Sequence, residues 1–95
     1  MHYFIVEYDF DPPMTDAMLA AGFEALKPCL EVRGVRRLRS WFAEDMTRGF
    51  CEYEAADTQS LRDAYHQAGM SFKRVWTGKL FEFGQPSLQK ALSSS

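Results

Sequence analysis

The chain has 95 residues, 46% of them hydrophobic and 15% aromatic, which fits one domain with a modest core and excludes disorder. Thirteen acidic residues against eleven basic ones leave a net charge of −2, with no basic excess to track a phosphate backbone, so nucleic acid is not an expected partner. No apolar run approaches the roughly 20 residues that span a bilayer, so no membrane partner is expected. Met1 to Glu7 lacks the basic-then-apolar order of a secretory leader. Cys29 and Cys51 make no disulfide framework, so a reducing cytoplasm is the expected compartment.

His2 to Phe10 is rich in aromatic and β-branched residues and reads as a strand. Phe4, Val6, Tyr8 and Phe10 share one face; Tyr3, Ile5, Glu7 and Asp9 share the other. Large apolar groups on both faces predict a strand covered on both sides. Asp11-Pro12-Pro13 ends it, because proline donates no ladder hydrogen bond. Thr15 suits an N-cap. Leu19, Phe23, Leu26 and Leu30 then form one stripe of an amphipathic helix. Pro28 is expected to kink or end that helix, leaving Cys29 half exposed near its end.

Gly34 closes the next turn. Val35 to Phe42 reads as a second strand, Ala43 to Thr47 as a polar turn, and Arg48 to Glu54 as a third strand. Asp57 caps a second helix to Ala68, with Leu61, Ala64, Tyr65 and Ala68 inward and Gly69 at its C-terminal end. Arg74 to Phe83 reads as a fourth strand, with Gly78 as a candidate bulge. The domain is expected over residues 1–84, followed by a tail at 85–95 forming a short helical turn with a frayed end.

The order βαββαβ is that of a ferredoxin-like α+β fold, with two helices on one face of a four-stranded antiparallel sheet. Its strand order, 4-1-3-2, puts the first and third strands side by side. The other face is bare, although the first and fourth strands carry apolar groups there. A second copy is the simplest cover, so a homodimer of the dimeric α/β-barrel type is expected. Glu7, Arg37, Arg39, Glu52 and Glu54 lie on strands, half of whose residues point to that face, with Arg39 paired to an acid on the third strand and Glu7 near Glu52 or its neighbours.

Motifs exclude much chemistry. No H-x-x-x-H, H-E-x-x-H or C-x-x-C is present, nor any G-x-S-x-G, P-loop or G-x-G-x-x-G. The histidines are His2 and His66, and His66 reads as a surface residue of the second helix. Cys51 reads as a small buried hydrophobe.

Leu38-Arg39-Ser40-Trp41-Phe42, Phe50-Cys51-Glu52-Tyr53-Glu54-Ala55-Ala56-Asp57, Leu61-Arg62-Asp63 and Ala68-Gly69-Met70 occur in that order. With the opening Phe4-Ile5-Val6-Glu7, they resemble a small bacterial family over residues 3–83. That family is a domain of unknown function whose best-described members are nickel-responsive, nickel-binding proteins of actinobacteria. The resemblance implies a ferredoxin-like fold and a dimer. It also implies one histidine before the serine of the second strand and another after the Arg-acid pair of the second helix. This chain has Arg39 and Ala64 at those positions. A protonated guanidinium has no lone pair for a metal, and alanine has no donor. His66, two residues beyond Ala64, points about 200° away around a helix. No metal site and no cofactor are therefore expected.

The leading reading is a small-molecule-binding or regulatory module. Arg39 supplies a positive fork for an organic anion, Glu7, Glu52 and Tyr53 the polar end, and Trp41 the apolar wall. His66 joins Glu7 and Glu52 as a candidate base in the alternative, a cofactor-free monooxygenase or isomerase of the dimeric α/β-barrel type. A third reading is divergent metal binding through Cys51, His2 or His66 with carboxylates.

Overall fold

The computed structural model describes residues 1–83. The boundary expected at residue 84 and the tail expected at 85–95 lie outside the described residues. The elements are β1 (His2–Asp9), α1 (Asp16–Glu31), β2 (Arg36–Phe42), β3 (Arg48–Ala55), α2 (Thr58–Ala68) and β4 (Arg74–Gly78). The sheet order is β2-β3-β1-β4, all pairings antiparallel. This is the ferredoxin-like arrangement that the order of elements implies.

Helix ends follow the local chemistry. The Thr15 side chain accepts from the Met18 N–H at 3.2 Å, and Asp57 accepts from Ser60 N–H at 2.8 Å. Those bonds hold an N–H that no helical carbonyl reaches. The Ser60 backbone N–H holds the Asp57 carboxyl below its ordinary value. Gly69 ends α2 at φ 72°, the left-handed region that glycine enters without a Cβ clash.

Two expectations about α1 are corrected. Pro28 does not end the helix, which runs on to Glu31. Its missing N–H would have met Glu24, and both residues lie on the exposed side, where water reaches the free carbonyl. The unbroken turn keeps Leu26, Cys29 and Leu30 on one face, so Cys29 is buried rather than half exposed.

The core lies between the sheet and the two helices. Phe4, Val6 and Tyr8 of β1, Cys51, Tyr53 and Ala55 of β3, Leu26 and Leu30 of α1, and Leu61, Ala64 and Tyr65 of α2 are all buried. Gly49 on β3 faces Phe42, whose ring fills the space a Cβ would need.

β4 is shorter than the sequence implies. It stops at Gly78, paired with Tyr3, instead of running to Phe83. The ladder ends at that pair although β1 extends one residue further, to His2. Gly78 is the strand's last residue, not a bulge within it. The irregularity falls on β2 instead, between Arg37 and Arg39.

Candidate functional site

The bulge on β2 decides which side chains reach the open face. Strict alternation would put Arg37 and Arg39 on the same side. With Leu38 as the extra residue, Arg37 pairs with Tyr53 on the helix side and Arg39 with Glu52 on the open side. Of the candidates for the open face, Arg37 is thus the one that lies on the helix side. Its guanidinium stacks on Phe23, 4.3 Å from the ring centroid.

The open face is built in rows across the strands. Gly78, Tyr3, Glu54 and Arg36 form the first row. Trp76, Ile5, Glu52 and Arg39 form the second, and Arg74, Glu7, Phe50 and Trp41 the third. Acids sit on the two central strands and bases on the edges, so each carboxylate has a cation beside it. Arg39 donates through Nε to Glu52, as the sequence implied. Arg36 Nη2 meets Glu54 Oε1 at 3.3 Å. Trp76 Nε1 donates to Glu7 Oε2 at 2.6 Å, and Arg74 Nε stands 3.6 Å from the same oxygen. Glu7 lies opposite Phe50, one row away from Glu52.

Two clefts open on this face. One, of about 390 Å³, is lined by Tyr3, Ile5, Leu38, Trp76 and Leu80, with the Arg36–Glu54 and Arg39–Glu52 pairs as its polar part. The other, of about 400 Å³, lies at the opposite end among Glu7, Trp41, Phe50, Arg48 and Lys73. The tryptophans that line them are open: Trp41 is 59% exposed and Trp76 47%.

The six expected site residues therefore divide. Arg39 and Glu52 share the first cleft, while Glu7 and Trp41 share the second. Tyr53 is not with them, because its parity on β3 turns it to the helix side, where it is buried. His66 is also elsewhere, exposed on α2 in the opposite layer. Arg36, Tyr3 and Trp76 complete the first cleft and were not singled out for it. The alternation of β1 and β4 marks Tyr3 and Trp76 as one-face partners, but it does not show that the cleft gathers there.

Tyr53 belongs to a buried hydroxyl chain. The Tyr8 hydroxyl donates to Cys51 Sγ at 3.4 Å, Tyr8 also meets the Tyr65 hydroxyl, and Tyr65 meets Tyr53 at 2.6 Å. Each phenol has one proton. With that of Tyr8 given to sulfur, Tyr65 donates to Tyr8 and Tyr53 donates to Tyr65. Ser40 Oγ meets Cys51 Sγ at 2.9 Å and ends the chain. Cys51 is thus buried as expected, but hydrogen-bonded rather than only packed. Burial pushes the phenol of Tyr53 up to about 12 and those of Tyr8 and Tyr65 higher still. Arg37 beside Tyr53 works the other way. Its Nη1 is buried without a hydrogen-bond partner among the described residues.

Sequence comparison places this scaffold. The family described as "Nickel responsive protein SCO4226-like" matches residues 4–77. The chain belongs to that SCO4226-like family. No curated protein matches it significantly. The crystal structure of SCO4226 from Streptomyces coelicolor A3(2) superposes with a TM-score of 0.74 at 14% identity, covering 84% of this chain and 99% of that one. At that identity the likeness speaks for the fold.

Among the described residues no three His, Cys, Asp or Glu side chains gather closely enough to hold a metal ion. The two positions where the sequence resemblance implies histidine lie on opposite sides of the sheet. Arg39 is on the open face bound to Glu52, and Ala64 is buried in the core beneath α2. The β-sheet stands between them, so side chains at those positions of one copy cannot share an ion. No described helix is long and apolar enough to cross a membrane.

Proposed function

We propose that this chain is a small-molecule-binding or regulatory module of the bacterial cytoplasm. It works as a homodimer whose copies stack through the open sheet face. One observation carries the reading: Tyr3, Trp41, Phe50 and Trp76 are all exposed on that single face, among rows of Arg–Glu pairs. An apolar patch of this kind, rimmed by charge, is the mark of an interaction site. A two-fold axis lets one patch cover its own copy. Two such sheets pack about 10 Å apart and would roof the cleft of about 390 Å³, a volume that suits a small organic ligand.

Within that cleft Arg39 is the anchor. Its Nε is taken by Glu52, which fixes the guanidinium and leaves the terminal nitrogens for an acceptor on the ligand. Tyr3 and Trp76 flank an apolar body. The ligand class is a small, flat organic molecule with a carboxylate or carbonyl end. Nickel is not the resident group in this reading.

Native mass spectrometry of untagged protein, purified without chelator, tests it. The expected spectrum is a dimer carrying an organic adduct, and Arg39→Ala retains the dimer but not the adduct. A monomer at tens of micromolar refutes the stacked arrangement. A dimer with a stoichiometric nickel increment refutes the ligand assignment.

A further inference from the structure

The SCO4226-like match stops at Thr77, and the described residues beyond it carry exposed apolar side chains. Leu80 and Phe81 are 40% and 42% exposed, and Phe83 is 98% exposed. Three large apolar side chains in four residues are held open to water, which favours burial against a further surface.

The path of this segment shows which surface. Lys79, Leu80 and Glu82 line the same cleft as Arg36, Leu38 and Arg39. β4 and β2 are opposite edges of the sheet, with β1 and β3 between them. Residues that follow β4 therefore reach side chains of β2 across the Tyr3–Glu54–Arg36 end of the open face, and Lys79, Leu80 and Glu82 form a wall of the cleft there. A second sheet stacked on this face, about 10 Å away, must touch it.

The location of the segment also selects the two-fold axis. If like ends of the two sheets faced each other, both segments would compete for the space above the same row. If the axis reverses the strands, each segment lies over the other copy's bare end, where Trp41 and Phe50 border the cleft of about 400 Å³. We propose that Lys79–Phe83 is a clasp: Phe81 and Phe83 of each copy enter the Trp41–Phe50 cleft of the other, while Leu80 stays as a wall of its own ligand cleft. This rests on the stacked dimer proposed above. It adds that each copy contributes a segment to the other's open face.

The test uses the full chain with Phe83 replaced by p-benzoylphenylalanine, a photo-crosslinker. Isotopically heavy and light protein are mixed, allowed to exchange, irradiated and digested. The expected product joins residue 83 of one isotope to the segment holding Trp41 or Phe50 of the other. In parallel, Phe81→Ala with Phe83→Ala raises the dimer dissociation constant at least about tenfold, since two buried rings are lost. A dimer that crosslinks only within one chain, or only to the helix layer, overturns the clasp and leaves the stacked dimer standing. A wild-type chain that sediments as a monomer overturns both.

Discussion

Raising the pH should unfold this protein cooperatively, and the buried phenols set the range. Tyr8, Tyr53 and Tyr65 ionise from an ordinary value of 10.0 in the unfolded chain. In the folded chain burial holds Tyr53 up to about 12 and the other two above that. A group whose folded value is raised contributes stability that is whole below its unfolded value and is lost as pH climbs past it. At pH 12 the loss is about 2 kcal/mol from Tyr53 and nearly 3 from each of the others, or roughly 8 kcal/mol together. Domains of this kind hold about 5–15 kcal/mol in all, so a stability in the lower half of that range is overtaken between about pH 11 and 12, where unfolding is expected. Tyrosinate absorbance and far-ultraviolet circular dichroism, followed together, are the assay. Three of the four tyrosines should ionise in the same step that loses secondary structure. Tyr65→Phe should weaken the protein at neutral pH by about 1–3 kcal/mol, because Tyr8 loses a donor and the Tyr53 hydroxyl its acceptor. It should also make the alkaline loss shallower. If all four tyrosines ionise gradually near 10 while the circular dichroism stays native, the buried hydroxyl chain is wrong.

Gly49→Ala tests the close approach of Phe42. The new methyl would run into the Phe42 ring and stand 2.7 Å from the Trp41 carbonyl oxygen, and the latter is backbone that cannot swing aside. A loss of about 1–3 kcal/mol in urea unfolding is expected; a gain, as alanine's β-propensity alone would give, contradicts the packing. Arg39→Ala removes a pair whose arginine side chain is mostly exposed, so stability should change by less than about 1 kcal/mol while ligand retention is lost. A large fall in the urea midpoint would make Arg39 structural instead.

The fold was legible because local signals agree with one another. Thr15 and Asp57 begin helices, Gly69 ends one, and the alternation of Phe4, Val6 and Tyr8 reports the buried face of β1. The site was legible only in part. Arg39 with Glu52 follows from neighbouring strands, but the face each residue points to depends on register. One extra residue, Leu38, separates Arg37 from Arg39, and nothing in Arg-Leu-Arg marks a bulge. Tyr53 was misplaced for a related reason. It lies one position from both Glu52 and Glu54, and adjacency in sequence means opposite faces in a strand.

The same two-sidedness bears on the metal. Restoring histidine where the resemblance implies one should not restore a site at Ala64. That residue has 0% exposure and packs in the core beneath α2. An imidazole there must displace neighbours at crystal-like density and bury a ring nitrogen with no assigned partner. Overpacking costs about 1–3 kcal/mol, with a further 1–3 for the unsatisfied polar atom. Ala64→His is therefore expected to lower the urea midpoint by an amount nickel does not recover. A binder of the native state would add RT ln(1 + [L]/Kd), about 2.7 kcal/mol at a hundredfold excess over Kd, so the comparison with and without nickel is decisive. Recovery of the midpoint by nickel would mean that the helix side opens to donors from the other face. The sheet could then no longer be read as a barrier between Arg39 and Ala64. No recovery leaves the open face, with Arg39 already committed to Glu52, as the place where this chain's chemistry departs from a histidine-based metal site.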